Sequence, residues 1–531
     1  MNSRVPLLFS LGLSLLGCSD GDKLPAQQPE QVVSERLAPG VRRLSSPELD
    51  AAAANLLGTE IGLSQKIPPD ARQNDYSRNE AQTVDSLTLS SLYDAAEAAT
   101  STLDLGHAPF PSCAKTAAVG DQACESATIA ALARLAFRRV ASDAELAQLQ
   151  ALFDLGASGQ MFGDGVAVVL RALLASPKFL YATTLGASMP SGDVALSDEE
   201  LASELAFLIS GTPPDDALLD AAARGELRSG ASREAQAIRL MQQSGSRFLY
   251  RRFVEEWLGI VRLSGLAKSS SVVNDWTALR GAMLDETNAF IDDIFAQQNG
   301  SISMLFAGGY SIIPSGLAAF YGIEPTPPGA RVALDRLGRS GILQQASFLA
   351  TFAHEDESAP VLRGKAVLIR VLCQHITLPE ELGLDVHLPP PDPTATTRER
   401  FAAHALDPQC AQCHNALDGV GFTFEDFDAV GRFRSHENGK PIDTSGSVNF
   451  DGQTLQLADS VALSRALATS IDAQQCAARQ VVRFAAGQTD VKVEDAFADA
   501  MQTAPVERRA SLTGLFLEFV KSDVFAWRRS P

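Results

Sequence analysis

The chain lacks any run of eighteen or more apolar residues, the length a helical membrane span needs. Its body therefore does not cross a bilayer. Basic charge is also short: 44 Lys and Arg stand against 64 Asp and Glu, a formal net charge of −20. Phosphate binding rests on a concentrated Lys/Arg surface, so this balance speaks against nucleic acid. It favours a basic protein partner drawn in by charge, and it also keeps the chain soluble. The sequence has no G-x-S-x-G elbow, no H-E-x-x-H and no Gly-rich phosphate loop followed by Lys-Ser or Lys-Thr, which removes the common hydrolase and nucleotide-binding readings. Trp257, Trp276 and Trp527 are scattered rather than gathered into a sugar-binding stripe.

Strand signals are few, and what is present is mainly α. Ala- and Leu-rich segments with apolar residues three and four apart fill most of the 531 residues, a length suited to several modules. Ser45-Ser46-Pro47-Glu48 predicts a helix running to Leu57-Gly58, and Leu196-Ser197-Asp198-Glu199 another ending near Gly211. The best strand signal lies at 432–457. There the turn dipeptides Asn438-Gly439 and Asp451-Gly452 predict a small hairpin. The stretch from Cys124 through RLAFRR to Ser176-Pro177-Lys178-Phe179 is echoed from Cys476 through RFAAGQ to Ser522-Asp523-Val524-Phe525. This is either a duplicated module or the common look of Ala-rich helices.

The first residues, MNSRVPLLFSLGLSLLGCSD, place Arg4 before an apolar stretch from Val5 to Leu16 and small Gly17 before Cys18. This is the form of an export signal. Leu15-Leu16-Gly17-Cys18 resembles a bacterial lipobox, which predicts lipidation at Cys18 and export to the periplasmic side of the envelope. Ser19 points to the outer membrane, with the membrane touched through the lipid anchor only. The expected layout is a signal peptide at 1–17, a polar tether at 18–42, N-terminal helical modules at 43–186, a central module at 187–265, a further module at 266–392 and a C-terminal portion at 393–531.

Residues 410–414 read Cys-Ala-Gln-Cys-His. In the C-x-x-C-H spacing two thiols add to the vinyl groups of one haem c and the adjacent histidine takes the iron. Cys410 and Cys413 are thus the expected covalent attachment points and His414 the proximal ligand, within a cytochrome c-like domain. With seven Cys and seven His in the whole chain, chance occurrence is negligible. A zinc site and a redox disulfide are the competing readings. Zinc lacks a second paired ligand motif, and redox use lacks a surrounding βαβ pattern.

The sixth iron position stays open among Met501, the only methionine after the motif, a histidine such as His404, His436 or His354, and no protein ligand at all. Four cysteines remain in an oxidising compartment: Cys113, Cys124, Cys373 and Cys476. Of three connectivities, the short polar loop favours Cys113 with Cys124, leaving Cys373 with Cys476.

After the motif come Asp418-Gly419-Val420-Gly421-Phe422 and Phe424-Glu425-Asp426-Phe427-Asp428-Ala429-Val430-Gly431-Arg432-Phe433-Arg434. Together with RRLSSPELDAAAANLLG, ASELAFLISGTPPDDALLDAAARGEL, RRFVEEWLGI and Pro360-Val361-Leu362-Arg363-Gly364, this resembles a family of large exported bacterial proteins. Members are built from several domains of unknown function and end in a haem-c-like portion. The resemblance covers most of the chain. It departs at Ser358-Ala359, where the family more usually has Thr-Ser. It implies a c-type cytochrome portion and an envelope location, and it implies no particular reaction.

Arg363, Gly364, Asp428 and Arg434 stand out in these motifs. Arginines can bind haem propionates, while helix capping and surface ion pairs are their commoner use. Three functions remain in play: envelope electron transfer or service as an oxidoreductase subunit; a haem peroxidase or oxygenase with an open sixth site and His354, beside Glu355, Asp356 and Glu357, on the distal side; and a scaffold with a structural haem.

Overall fold

A computed structural model describes residues 35–159, 161–190, 192–243, 247–376, 392–402 and 408–530, and nearly all of their regular structure is helical. Local signals place the helices. Ser45 and Glu48 form a reciprocal capping box on the helix Ser46–Leu57, and Gly58 ends it in the left-handed conformation at φ 73°. Ser197 and Glu200 do the same for Asp198–Ile209. Among the described residues, no helix is long and apolar enough to cross a membrane.

Two large apolar cores organise the chain. The first packs Leu49, Leu56, Leu132, Phe153 and Leu170 from the helices Ser46–Leu57, Gln122–Phe137, Asp143–Ala157 and Phe162–Leu174. The second takes side chains from every later segment, among them Leu205, Trp257, Phe306, Phe348, Val420, Phe484 and Phe516. The central, penultimate and C-terminal segments therefore share one interior. Burying a large side chain in such a core stabilises by about 1.5–3 kcal/mol.

The two cores are stitched by buried charge. Glu48 accepts from Arg42 at 2.6 Å and Arg78 at 2.9 Å, and Arg78 also reaches Glu204 at 2.5 Å. Arg252 lies 3.7 Å from Glu48. Burial alone pushes Glu48 up, but Arg42, Arg78 and Arg252 outweigh it and hold the carboxyl well below the usual range.

Folded structure begins inside the stretch read as a tether. Leu37 is buried and bridges Arg528, and the strand Gly40–Arg43 pairs antiparallel with Tyr181–Thr184. The correction has a physical cause: the backbone of 40–43 completes a two-stranded sheet, and Arg42 and Arg43 find acidic partners in Glu48 and Asp70. Cys18 and the rest of the export signal lie outside the described residues.

Both expected disulfides form. Cys113 bonds Cys124 and Cys373 bonds Cys476, with Cα separations of 6.0 and 5.3 Å. The expected hairpin is two. Asn438-Gly439 turns His436–Glu437 onto Lys440–Pro441, and Asp451-Gly452 turns Gly446–Phe450 onto Gln453–Leu457. Both dipeptides have positive φ at each residue, the requirement of the tight turn that matches strand twist.

The two echoed stretches share the order of most of their elements. Gln122–Phe137 and Ile471–Ala486 are both 16-residue helices that end in the left-handed conformation, at Arg138 and Gly487. Each leads through further helices to a four-residue turn, Pro177–Leu180 or Asp523–Ala526, and then directly into a short strand, Tyr181–Thr184 or Trp527–Arg528. The second stretch carries an additional short helix, Val506–Arg509.

Candidate haem site

The motif lies on the helix Pro408–Gly421, which carries Cys410, Cys413 and His414. Proline suits the start of such a helix, where its missing N–H is not needed. Glycines seat the helix. A Cβ on Gly364, in the helix Pro360–Ala366, would overlap the Leu417 carbonyl oxygen, and one on Gly421 would overlap that of Pro360. On another side Gly419 and Gly446 touch the carbonyls of Ser447 and Gly419 in the same way, docking the second hairpin. Leu417 and Val420 are buried toward the interior. Gly364 thus acts as a helix crossing point, not as part of a ligand pocket.

His414 and Asp418, one turn apart, line a cleft of about 520 Å³ together with Arg398, Phe422, Gly446 and Leu457. The imidazole Nδ1 lies 3.2 Å from Asp418 Oδ1, and both side chains are 14% exposed. An adjoining cleft of about 380 Å³ shares Asn415 and Ser447 with the first. Arg398 stacks over the Phe422 ring at 4.4 Å and donates to the Asp443 carbonyl at 3.1 Å and the Ser445 carbonyl at 2.5 Å. One wall of the cleft is therefore the helix Thr397–Phe401 pinned to the segment between the two hairpins. The neighbouring Thr397 hydroxyl donates to Glu437 at 2.8 Å and strengthens that link.

The donor set suits a c-type haem. Two cysteines with two residues between them and the next histidine share one stretch of helix, and the histidine is held by a carboxylate on its Nδ1, the arrangement that orients metal-ligating imidazoles. Cys410, Cys413 and His414 are the residues that would hold the group.

Other expected participants lie elsewhere. Arg363 is fully buried and donates to four carbonyls: Phe424 and Phe427 at 2.9 and 2.7 Å, Leu349 at 3.2 Å and Asp428 at 2.7 Å. Burial pushes its guanidinium down to about 10. Arg434 pairs with Glu425 and donates to Ser358 Oγ at 3.1 Å. The Asp428 carboxylate accepts from the amides of Val430 and Arg432 at 2.9 and 2.8 Å. The propionate reading of these residues is corrected: they lock the loop after the motif, because its buried carbonyls need donors.

Met501 lines a separate cleft with Ile471, Gln474 and Ala498, and the cleft at His414 shares no lining residue with it. His436 sits on the first hairpin, its Nδ1 3.0 Å from Ser435 Oγ at the surface. The His354 carbonyl accepts from Lys268 Nζ at 2.6 Å, and His354 is not among the cleft residues. His404 falls outside the described residues.

Asp418 is the residue that sequence reading passed over. Its signal was present, since position 418 is four after 414 and so faces the same side of any helix carrying the motif. Nearby, burial pushes Asp426 up to about 7.

Four stretches of the chain match family models. Residues 42–104 match PSD3, a protein of unknown function (DUF1587), and 124–183 match PSD5, a protein of unknown function (DUF1595). Residues 196–323 match PSD4, a protein of unknown function (DUF1592), and 339–437 match PSCyt3, a protein of unknown function (DUF1588). No curated protein and no solved structure matches the chain. The PSCyt3 stretch contains both the Pro360–Ala366 helix and the motif helix up to Gly421. The chain is accordingly a mainly α protein of several modules, similar over four stretches between residues 42 and 437 to four families of unknown function.

Proposed function

We propose that this protein is an envelope-anchored c-type haem protein, with one haem c on Cys410 and Cys413 and its iron on His414, serving electron transfer alone or as an oxidoreductase subunit. The observation that carries this reading is the pairing of His414 with Asp418 beside a cleft, on the one helix that bears both cysteines. The name of the family matched by 339–437 is in keeping with a cytochrome. The bound group supplies one-electron chemistry. The chain's own part is to hold the imidazole through Asp418, to wall the site with Phe422 and the hairpin Gly446–Phe450, and to present an acidic exterior to a basic partner protein. Lipidation at Cys18 keeps the protein on the periplasmic side of the outer membrane.

The test is expression of the full chain with its export signal beside a haem-maturation system, followed by absorption spectra of the oxidised and reduced protein with and without carbon monoxide. Covalent haem with a low-spin spectrum indifferent to carbon monoxide is the expected result. Absence of covalent haem overturns the reading. One observation favours a second reading, a haem enzyme with an open sixth position: Met501 opens onto a different cleft from His414. A rapid carbon monoxide shift selects that alternative.

A further inference from the structure

We infer that Asp418 is a positioning residue that sets the electron density of the His414 imidazole and so holds the site at low reduction potential. This rests on the haem reading above. An imidazole that binds iron through one nitrogen keeps a single N–H donor on the other, and the acceptor of that hydrogen bond controls how basic the ligand is. Here the acceptor is a carboxylate, 3.2 Å from Nδ1, with both partners 14% exposed. A charged acceptor makes a stronger hydrogen bond than a carbonyl, and partial burial preserves its effect. A more electron-rich ligand stabilises the ferric over the ferrous state.

Structural explanations of Asp418 are weak. It lies in the last turn of the helix Pro408–Gly421, the end where the helix dipole disfavours a carboxylate. Among the described residues its ion-pair partner is His414 alone. Arg398, the cation on the same cleft, is turned to the Asp443 carboxylate at 3.5 Å and to the carbonyls of Asp443 and Ser445. The acid therefore sits where helix stability argues against it and where, among the described residues, its ion-pair partner is the imidazole.

The experiment is a redox titration of the full-length holoprotein and of Asp418→Asn, with Glu399→Gln as a charge control. Glu399 is exposed on the adjacent helix Thr397–Phe401 and pairs with Lys440 at 2.8 Å; glutamine keeps its capping role there. Asp418→Asn is expected to move the ferrous-to-ferric ratio at fixed ambient potential at least tenfold toward ferrous, about 59 mV for one electron. Glu399→Gln is expected to stay within about twofold of the parent, about 18 mV by the same conversion. An equal shift in both variants, or less than twofold in Asp418→Asn with its haem intact, overturns the inference. If Asp418→Asn fails to retain haem, Asp418→Glu decides: return of both haem and the parental potential supports the role, and continued loss overturns it. A wild-type chain that takes up no haem defeats the parent reading as well, and haem staining of the denatured protein separates that failure from the others.

Discussion

Gly364 lies against the carbonyl oxygen of Leu417, a close crossing of the Pro360–Ala366 helix with the helix that carries the cysteine motif. No side chain fits between them. Gly364→Ala and Gly421→Ala are each expected to cost about 1–3 kcal/mol through overpacking. Gly281→Ala, inside the helix Trp276–Gln298 with open space at its Cβ, is expected to be neutral or to stabilise by up to about 1 kcal/mol. Denaturant unfolding of the three variants checks this ordering, and equal stabilities contradict the close crossing.

Glu48 balances three arginines in the interior. Glu48→Gln removes the one carboxylate that all three share, leaving Glu204 and Glu256 to face them, and is expected to destabilise by about 3 kcal/mol at neutral pH. The folded-state pKa of Glu48 is depressed, so its contribution is complete above the ordinary carboxylate value of about 4.3 and is lost as pH falls through the folded value. Urea midpoints from pH 7 down to 3 should therefore show wild type and variant converging in acid. A constant gap argues against the ion-pair origin.

Asp426 behaves in the opposite sense. Burial raises its carboxyl from 3.8 to about 7, so the folded state binds the proton more tightly than the unfolded chain. Stability from this group is complete below the unfolded value and declines as pH rises from about 4 to about 7. Asp426→Asn is expected to remove that decline, which a thermal-melt series across the window detects. An unaltered pH profile in the variant excludes Asp426 as the source.

Cys373 and Cys476 are 103 residues apart in sequence, and their bond ties the segment that follows the helix Pro360–Ala366 to the helix Ile471–Ala486. Replacing both with serine is expected to cost about 2–4 kcal/mol, measured under oxidising conditions. Wild type treated with a reductant should approach the variant. A variant as stable as oxidised wild type shows that the link adds no stability.

What was legible in the sequence was local. The capping boxes at Ser45 and Ser197, the two turn dipeptides of the hairpins and the short Cys113–Cys124 loop act over a few residues, and each formed where the pattern indicated. The role of Arg363 was not legible. Its partners are backbone carbonyls of a loop folded against it from more than sixty positions away and of Leu349, and a carbonyl leaves no mark in sequence. Glu48 was hidden for a related reason, since Arg78 and Arg252 come from separate segments. Leu37 and Gly40–Arg43 were misread because their polar, Pro-containing surroundings conceal a strand whose partner lies beyond residue 180. Asp418 was within reach of spacing alone, once the cysteine motif is placed on a helix.

The most direct test of the central claim is the intact mass of the exported chain, produced with haem-maturation machinery and denatured before measurement, for wild type and for Cys413→Ser. The wild type is predicted to carry one haem per chain that survives denaturation. Cys413→Ser is predicted to keep at most a single thioether, to Cys410, and so to carry haem on a smaller fraction of chains under the same treatment. A wild-type mass equal to that of the bare processed polypeptide contradicts the assignment of Cys410, Cys413 and His414.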